Sequence, residues 1–300
     1  MPHDKREFQL FIEEEVNKLK GVYYPVRAGF FSRNFVHKLP CDRLYPNPYD
    51  EFCIPEVGPS YDIISRYERD YRSLDGSLSS ASFLNSGISQ PIMVQKISPE
   101  GYMILNGHHR WAAAMRAGFK KIPVQIVNLT AERDIRQMLQ RASFNKRATL
   151  DLDETVFREK GEGKLERPLP FPFDRHFKER LRAGIPALFY FLRQQRYDIW
   201  VYTAKYYSLD YLRSYFRHYR IHVTGIITGT ARKAPRDTDT VKELEQLLKK
   251  RYAETVHVDN DALLRTFSES ADYEEYPLDP SQDSWAKQVA SCLEKMEKHE

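Results

Sequence analysis

The chain has 300 residues, 41% of them hydrophobic and 29% charged, with a formal net charge of +4. This length suggests about two globular domains, and the three cysteines are too scattered for a disulfide framework or a zinc site. No apolar run reaches the roughly 20 residues of a membrane span, and the N-terminus has no signal core, so we expect a cytoplasmic protein with no membrane partner.

The first part of the chain is predicted to alternate strands and helices after an irregular start. An amphipathic helix over 4–19 precedes the segment 20–60, which is rich in proline and tyrosine and is predicted to be irregular. The elements that follow are strands at 90–95, 101–105 and 122–127, a helix at 108–117 and a polar connecting helix at 131–146.

The second part repeats the alternation more regularly. Its predicted strands are at 148–152, 199–202, 223–227 and 255–258, and its predicted helices are at 174–195, 208–219 and 238–251. An acidic, turn-rich tail at 268–284 and a last helix at 285–298 complete the chain. Strands that alternate with helices predict a parallel sheet with helices on both faces.

We therefore predict an α/β protein of two domains. The predicted boundaries are 1–35 for an N-terminal helix and arm, 36–130 for the first domain, 131–147 for a linker helix, 148–268 for the second domain and 269–300 for a tail with a helix.

The helix predicted at 208–219 mixes tyrosine, phenylalanine and arginine, a combination that can bind nucleic acid by stacking. Its apolar side chains recur at helical spacing, which favours a face buried in the core. These side chains are Leu209, Leu212, Tyr215, Phe216 and Tyr219.

Two carboxylates, Asp151 and Asp153, lie at the carboxyl end of the short strand at 148–152. Side chains at the carboxyl end of a parallel strand face the crevice where α/β sheets bind ligands. One carboxylate can attack a phosphorus atom, and the other can protonate the leaving oxygen and then activate water. A solvated acidic turn explains the same residues equally well.

Two further strand ends and the start of the helix at 238–251 carry polar residues that fit the same chemistry. Thr203 can bind a phosphoryl oxygen, and Asp259 and Asn260 can complete a Mg²⁺ site with Asp151. Lys242 is the preferred phosphate-neutralising lysine, with Lys233 as a close second. Taken singly, these residues can equally be a helix cap, an Asx turn and surface charges.

These segments resemble the haloacid-dehalogenase (HAD) superfamily, and within it the capless phosphatases that act on carboxy-terminal domains. The matching segments are LDLDET at 150–155, RAG at 182–184, VYTA at 201–204, VKEL at 241–244 and VDN at 258–260. Neither the interval from Asp153 to Thr203 nor the interval from Thr203 to Asp259 is long enough for a separate cap domain.

The resemblance implies a Mg²⁺-dependent phosphohydrolase with a Rossmann-like parallel sheet. By analogy Asp151 is the nucleophile, Asp153 the acid and base, and Thr203 and Lys242 hold the phosphate. Mg²⁺ is expected on Asp151, Asp153 (through its carbonyl) and the pair at 259–260. The expected partner is a phosphorylated small molecule, nucleotide or macromolecule.

The first half carries a second signal at the start of the helix at 108–117. Asn106 and Gly107 form a turn, and His108, His109 and Arg110 open the helix. A glycine turn that leads into a helix N-terminus is an anion site, and these side chains can add donors to phosphate oxygens. A plain strand–turn–helix with solvated charges explains the same residues.

This stretch resembles the ParB/sulfiredoxin superfamily over about 36–130, with an insertion between 53 and 85. PNPY at 46–49, GISQP at 87–91, NGHHR at 106–110 and IPV at 122–124 carry the likeness. The GHHR form is closest to the free-serine-kinase branch, and sulfiredoxins have cysteine in place of His108. The resemblance implies ATP/ADP or CTP as a ligand, with Glu51, Glu56 or Asp62 as a candidate acid.

The preferred sequence-based hypothesis is thus a two-domain phosphohydrolase with a nucleotide- or phosphate-binding first domain. A bifunctional kinase/phosphatase is the bolder version. The alternative is a nucleotide-sensing or nucleic-acid-binding protein whose HAD-like half is a scaffold, although the mild net charge of +4 gives nucleic acid only weak support.

Overall fold

The protein is described by a computed structural model that covers residues 4–19, 23–73, 88–159, 161, 163–232 and 238–298. The chain divides between Asn128 and Leu129 into two compact units, each built on its own six-stranded sheet. Within the described ranges, no helix combines the length and the apolar character that crossing a membrane requires.

The first unit has four helices and six strands among its described residues. The helices are α1 (Lys5–Asn17), α2 (Phe30–Asn34), α3 (Tyr61–Arg72) and α4 (His108–Arg116). The strands are β1 (Tyr24–Pro25), β2 (Val36–Pro40), β3 (Leu44–Tyr45), β4 (Ile92–Ser98), β5 (Tyr102–Asn106) and β6 (Lys121–Ile126). The sheet order is β2-β6-β4-β5-β3, with β1 paired to β4, and only β4–β6 and β3–β5 run parallel.

Helix α4 packs closely in the first unit because its central side chains are small. Three consecutive alanines, Ala112 to Ala114, are fully buried, and Trp111 beside them is 1% exposed. The indole Nε1 of Trp111 donates to the carbonyl of Cys41 at 3.1 Å, so its polar atom is satisfied inside the core. Helix α3 packs against α4.

The second unit contains the remaining elements. The helices are α5 (Glu132–Gln140), α6 (Phe173–His176), α7 (Ile185–Gln194), α8 (Leu209–His218), α9 (Thr238–Arg251) and α10 (Trp285–Lys298). The strands are β7 (Lys146–Asp151), β8 (Tyr197–Thr203), β9 (Gly225–Thr228), β10 (Glu254–Val258), β11 (Ala262–Phe267) and β12 (Tyr273–Pro277).

The sheet of the second unit has the order β12-β11-β10-β7-β8-β9. Strands β10, β7, β8 and β9 are parallel, and β11 and β12 add antiparallel strands at one edge. The chain moves from β7 through β8 to β9 and then returns to β10 on the other side of β7. Right-handed crossovers then put α7 and α8 on one face and α9 on the other. The crevice for a ligand lies where the strand order reverses, at the carboxyl ends of β7 and β10.

The mixed α/β class is confirmed, as are the predicted parallel strands and the helices at 108–117, 208–219, 238–251 and 285–298. The core-facing side of α8 is also confirmed, with Leu212 and Tyr215 fully buried. The domain boundaries proposed from the sequence stay a prediction.

The connecting helix predicted at 131–146 is too long. Helix α5 ends at Gln140, and the carboxylate of Asp198 accepts the backbone N–H groups of Ser143 and Phe144, both at 3.0 Å. These hydrogen bonds hold the backbone outside the helix, and strand β7 starts at Lys146.

Regular elements occur in two segments that the sequence predicts to be irregular. Helix α2 and strands β1, β2 and β3 lie within the segment 20–60, and β12 lies in the acidic tail at 268–284. The charged residues of β12 hide its strand character, yet Glu274 pairs with Arg265 across the strands at 3.5 Å. Charged residues are common on edge strands because they discourage pairing with another chain.

Candidate functional site

The first candidate site lies at the carboxyl edge of the second unit's sheet. Asp151 ends β7, and its Oδ1 accepts the N–H groups of Asp153 at 2.6 Å and Glu154 at 3.1 Å. These bonds cap a single turn at Leu152–Val156 and fix the carboxylate at the sheet edge. Burial raises the pKa of Asp151, the two N–H donors oppose this, and the carboxylates of Asp153 and Asp259 add to the rise.

Asp153 and Thr203 are in direct contact. The hydroxyl of Thr203 donates to Oδ2 of Asp153 at 2.7 Å, and the N–H of Ala204 donates to the same oxygen at 3.1 Å. Lys205 Nζ lies 3.4 Å from the other carboxylate oxygen. Sequence reasoning missed Lys205, although it follows the strand end by two residues.

The lysine chosen from the sequence is not part of these contacts. Lys242 lies on the exposed side of α9, and the neighbouring Glu243 pairs with Arg136 of α5 at 2.8 Å. The cation beside Asp153 is Lys205, while the second choice, Lys233, lies outside the described residues.

Asn260 is engaged by arginines. Its side-chain oxygen accepts hydrogen bonds from Arg158 and, at 3.0 Å, from Arg182. Arg182 also donates to the carbonyl of Pro280 at 2.7 Å and lies over the ring of Trp285. An oxygen that faces two guanidinium groups does not fit the role of a Mg²⁺ ligand, because the same cations repel the metal.

No group of three or more His, Cys, Asp or Glu residues within the described ranges is arranged to hold a metal ion. One oxygen of Asp151 is taken by backbone donors, and Oδ1 of Asp259 accepts the N–H of Asn260 at 2.7 Å. Mg²⁺ on Asp151, Asp153 and Asp259 therefore stays a prediction.

The second candidate site is the start of α4 in the first unit. Gly107 is the residue before the helix, with φ +102, a left-handed conformation that side chains rarely adopt. A Cβ at this position would lie 3.0 Å from Nη2 of Arg110 and 3.1 Å from Cγ1 of Ile92. Glycine is therefore favoured by the backbone conformation, and an added Cβ would be tightly packed.

His108 is 4% exposed and points into the unit. Its Nε2 accepts the N–H of Asn47 at 3.1 Å, so the neutral ring carries its proton on Nδ1, 3.7 Å from a carboxylate oxygen of Asp50. Burial lowers the pKa of His108 to about 4, against an opposing effect of Asp50. The ring also stacks on Phe52.

His109 makes a second contact with the segment 47–60. Its Nε2 accepts the N–H of Ser60 at 3.1 Å, and its ring packs edge-on against Phe52. Burial lowers the pKa of His109 as well. Both histidines therefore act as acceptors that fasten residues 47–60 to the helix start, and their expected role as phosphate donors stays a prediction.

Arg110 ties the turn to the strand before it. It is 7% exposed, and its guanidinium donates to the carbonyl of Gln90 and, at 3.1 Å, to Oδ1 of Asn106. The acids proposed from the sequence, Glu51, Glu56 and Asp62, are all exposed. The acid nearest His108 is Asp50, which sequence reasoning missed because it reads as an ordinary turn residue.

The side chains at 106–110 thus serve to hold the turn rigid. The first N–H groups of any α-helix lack acceptors within the helix, and the helix dipole makes this end attractive to anions. At α4 these groups begin directly after Gly107, which has no side chain to cover them. Phosphate binding at this helix start therefore stays a prediction, one that the general preference of anions for helix N-termini favours.

Residues 70–143 match the ParB N-terminal domain family, and a ParB N-terminal domain is present in this chain. The nucleoid occlusion protein of Listeria monocytogenes serotype 4a is 28% identical over 124 residues, 41% of this chain and 37% of its own. The probable chromosome-partitioning protein ParB of Vibrio cholerae is 46% identical over 46 residues, 15% of this chain and 16% of its own. The chain thus spans well under half the length of these relatives.

Two solved structures of ParB from Caulobacter crescentus also match. The complex with CTP-γ-S is 28% identical and covers 37% of this chain and 56% of its own, with a TM-score of 0.24. The complex with the centromeric parS site is 27% identical and covers 36% of this chain and 50% of its own, with a TM-score of 0.22. At such TM-scores the relationship rests on the sequence matches.

The expectation of a phosphohydrolase is wrong. The relatives found are chromosome-partitioning and nucleoid occlusion proteins, and none of those described above is a phosphatase. The ParB match at 70–143 includes none of Asp151, Asp153, Thr203 and Lys242, so the roles expected of these residues stay a prediction. Hydrogen bonds within the sheet edge account for the first three residues, and Lys242 does not join them.

Proposed function

We propose that this chain is a nucleotide-responsive, nucleic-acid-binding protein whose nucleotide site is the start of α4. One observation carries the proposal: the ParB N-terminal domain match at 70–143 contains the Gly107 turn and the start of α4. A triphosphate suits this site because several backbone N–H groups and the helix dipole act together on negative charge.

The helix start can bind phosphates but does not discriminate between nucleobases, so CTP and ATP are both candidates. Mg²⁺ enters the proposal as the counter-ion of the phosphates, since it usually binds nucleotides through phosphate oxygens and water. DNA is the proposed macromolecular partner because the relatives found are chromosome-partitioning and nucleoid occlusion proteins.

The second unit enters this proposal as a non-hydrolytic scaffold with a HAD-like sheet. Its parallel strand order and the paired aspartates after β7 support the likeness. The engagement of Asn260 by two arginines supports a structural role for this edge. A scaffold of this kind keeps the strand order of an enzyme family without its reaction.

The experiment is a calorimetric titration of the protein with CTP and with ATP, each with and without Mg²⁺, together with an assay of phosphate release. Gly107→Ala should abolish nucleotide binding, because the added Cβ meets Arg110 and Ile92 and displaces the helix start.

Gly118→Ala is the matched control. Gly118 follows the other end of α4, also has a left-handed backbone with φ +82, and has open space around a would-be Cβ. The control should lose about 1–2 kcal/mol of stability from the backbone alone and still bind the nucleotide. Equal binding by the wild type and Gly107→Ala, or no binding of either nucleotide by the wild type, contradicts the proposal.

A further inference from the structure

The second unit contains a cleft rich in arginine that the proposed nucleotide site does not use. Its volume is about 460 Å³. We call it the arginine cleft, and its charged and histidine side chains are Arg141, Arg213, Arg217, Arg220 and His222. None of the lining residues that the structure describes is acidic. Met138, Phe216 and Ile226 supply buried apolar floor residues.

Two separate segments build the arginine cleft. Arg141 caps the C-terminus of α5, and Met138 in that helix accepts the N–H of Ile226 in β9 at 3.5 Å, which fixes α5 against the strand. Arg213 and Arg217 lie one turn apart on α8 and line the cleft together with the buried Phe216. Like charges four residues apart destabilise a helix slightly, so this spacing is not explained by helix stability.

Arg220 occupies a backbone position that normally belongs to glycine. Its φ is +58, its N–H donates to the carbonyl of Arg217 at 3.0 Å, and the N–H of Ile221 donates to that of Phe216 at 2.9 Å. This hydrogen-bond pattern ends a helix with a left-handed residue, usually glycine. A side chain there costs on the order of 1–2 kcal/mol, and strain of this kind is often retained for function.

Basic residues near a helix C-terminus interact favourably with the helix dipole, which explains in part why these arginines lie near the ends of α5 and α8. The dipole does not require that the C-termini of two helices converge on one cleft, nor that an arginine replace glycine at its rim. Arginine binds phosphate oxygens with two parallel hydrogen bonds. Arg213 and Arg217 are separated by about 6 Å along the helix, which allows contact with more than one phosphate of a strand.

We propose that the arginine cleft binds the phosphate backbone of a nucleic acid. This inference deepens the proposed function and rests on it for the identity of the partner, while its site lies in the second unit. The arginines make sequence-independent contacts, so they add affinity and salt dependence and do not read bases.

The experiment measures binding of a short random-sequence DNA duplex by fluorescence anisotropy over a range of salt concentrations. The double variant Arg217→Gln/Arg220→Gln is compared with the wild type and with Arg196→Gln. Arg196 is the matched control because it is exposed, has the same left-handed backbone with φ +62 after α7, and does not line the cleft. Thermal unfolding verifies that all three proteins are folded.

We expect the double variant to bind DNA about tenfold more weakly, with the slope of log K against log salt reduced by about 2, since each phosphate contact contributes about 0.9. Arg196→Gln should match the wild type. Equal affinities and slopes for the wild type and the double variant overturn the inference.

A second titration, with inorganic phosphate and with CTP, separates the sources of phosphate. If the wild type binds these compounds but not DNA, and the double variant loses that binding, the ligand is a free phosphate compound and the nucleic-acid assignment is overturned. The proposed function is tested separately by Gly107→Ala, which changes the first unit and leaves the arginine cleft intact.

Discussion

His108 shows how a residue that the sequence suggests as a phosphate donor can accept a structural hydrogen bond. Its ring is buried, stacks on Phe52 and accepts the N–H of Asn47. Burial lowers its pKa to about 4 from an ordinary value near 6.5. The unfolded chain therefore takes up a proton below about pH 6.5 that the folded protein takes up only near pH 4, and stability falls over that interval.

We predict that His108 contributes a loss of about 2 kcal/mol of stability between pH 7.5 and pH 5. Urea unfolding at the two pH values measures this loss of stability. The comparison is His108→Gln, because the amide oxygen of the glutamine can still accept the N–H of Asn47. The variant should be less stable at pH 7.5 and should lose less on acidification. A pH dependence identical to that of the wild type contradicts the buried neutral ring.

Asn260 offers a second test at a single residue. Its oxygen is shared by Arg158 and Arg182, and burial, followed by the charge of Arg158, lowers the pKa of Arg182 to about 10. Asn260→Ala should cost about 1–3 kcal/mol because two guanidinium groups lose an acceptor. Asn260→Asp should stay close to the wild type, since a carboxylate can accept from both.

Urea unfolding in the presence of EDTA measures both variants without any contribution from a metal. An Asn260→Ala protein as stable as the wild type contradicts the structural role of this residue.

The sequence predicts residues whose role follows from chain position and misses those whose role depends on packing. Asp151, Asp153 and Thr203 are found from the strand ends, and they do meet. Lys205 reads as a surface lysine until the turn after β8 brings it 3.4 Å from Asp153. Lys242 has a suitable place in the chain, but the orientation of its helix decides where it points.

Strands β8 and β9 approach closely at one glycine. A Cβ on Gly225 would overlap the ring of Trp200, which is fully buried and donates from Nε1 to the hydroxyl of Tyr252 at 2.8 Å. The ring cannot move away without losing that hydrogen bond and its packing. Gly225→Ala should therefore destabilise the second unit by about 3 kcal/mol or more.

The control for this prediction is Gly29→Ala, where nothing lies within 4 Å of an added Cβ and the backbone is extended. It should change stability by no more than about 0.5 kcal/mol. Thermal and urea unfolding compare the two variants, and equal small effects contradict the close approach of β9 to Trp200.

At the scale of elements, central strands are predictable and edge strands are not. Strand β8 is almost wholly buried and contains an apolar run at 199–201 before a polar turn. Strand β12 has two adjacent glutamates and reads as a tail, and β2 lies in a segment dominated by turn residues. Their pairing depends on a partner strand distant in sequence, which local composition does not reveal.

At the scale of the whole molecule, the sequence predicts two α/β sheets correctly but assigns the function wrongly. The paired aspartates after β7 favour phosphoryl transfer, because a strand end is where such chemistry occurs in α/β folds. The same fold supports many functions, and the match at 70–143 is to the ParB N-terminal domain family, with chromosome-partitioning and nucleoid occlusion proteins among the relatives.

Hydrogen exchange of the whole chain, measured by mass spectrometry with and without CTP and Mg²⁺, tests the central proposal most directly. We predict slower exchange in peptides that contain residues 104–116 in the wild type and in Gly118→Ala, and no change there in Gly107→Ala. Protection confined to peptides around Asp151 and Asp153, or no protection at the start of α4 at a saturating CTP concentration, contradicts it.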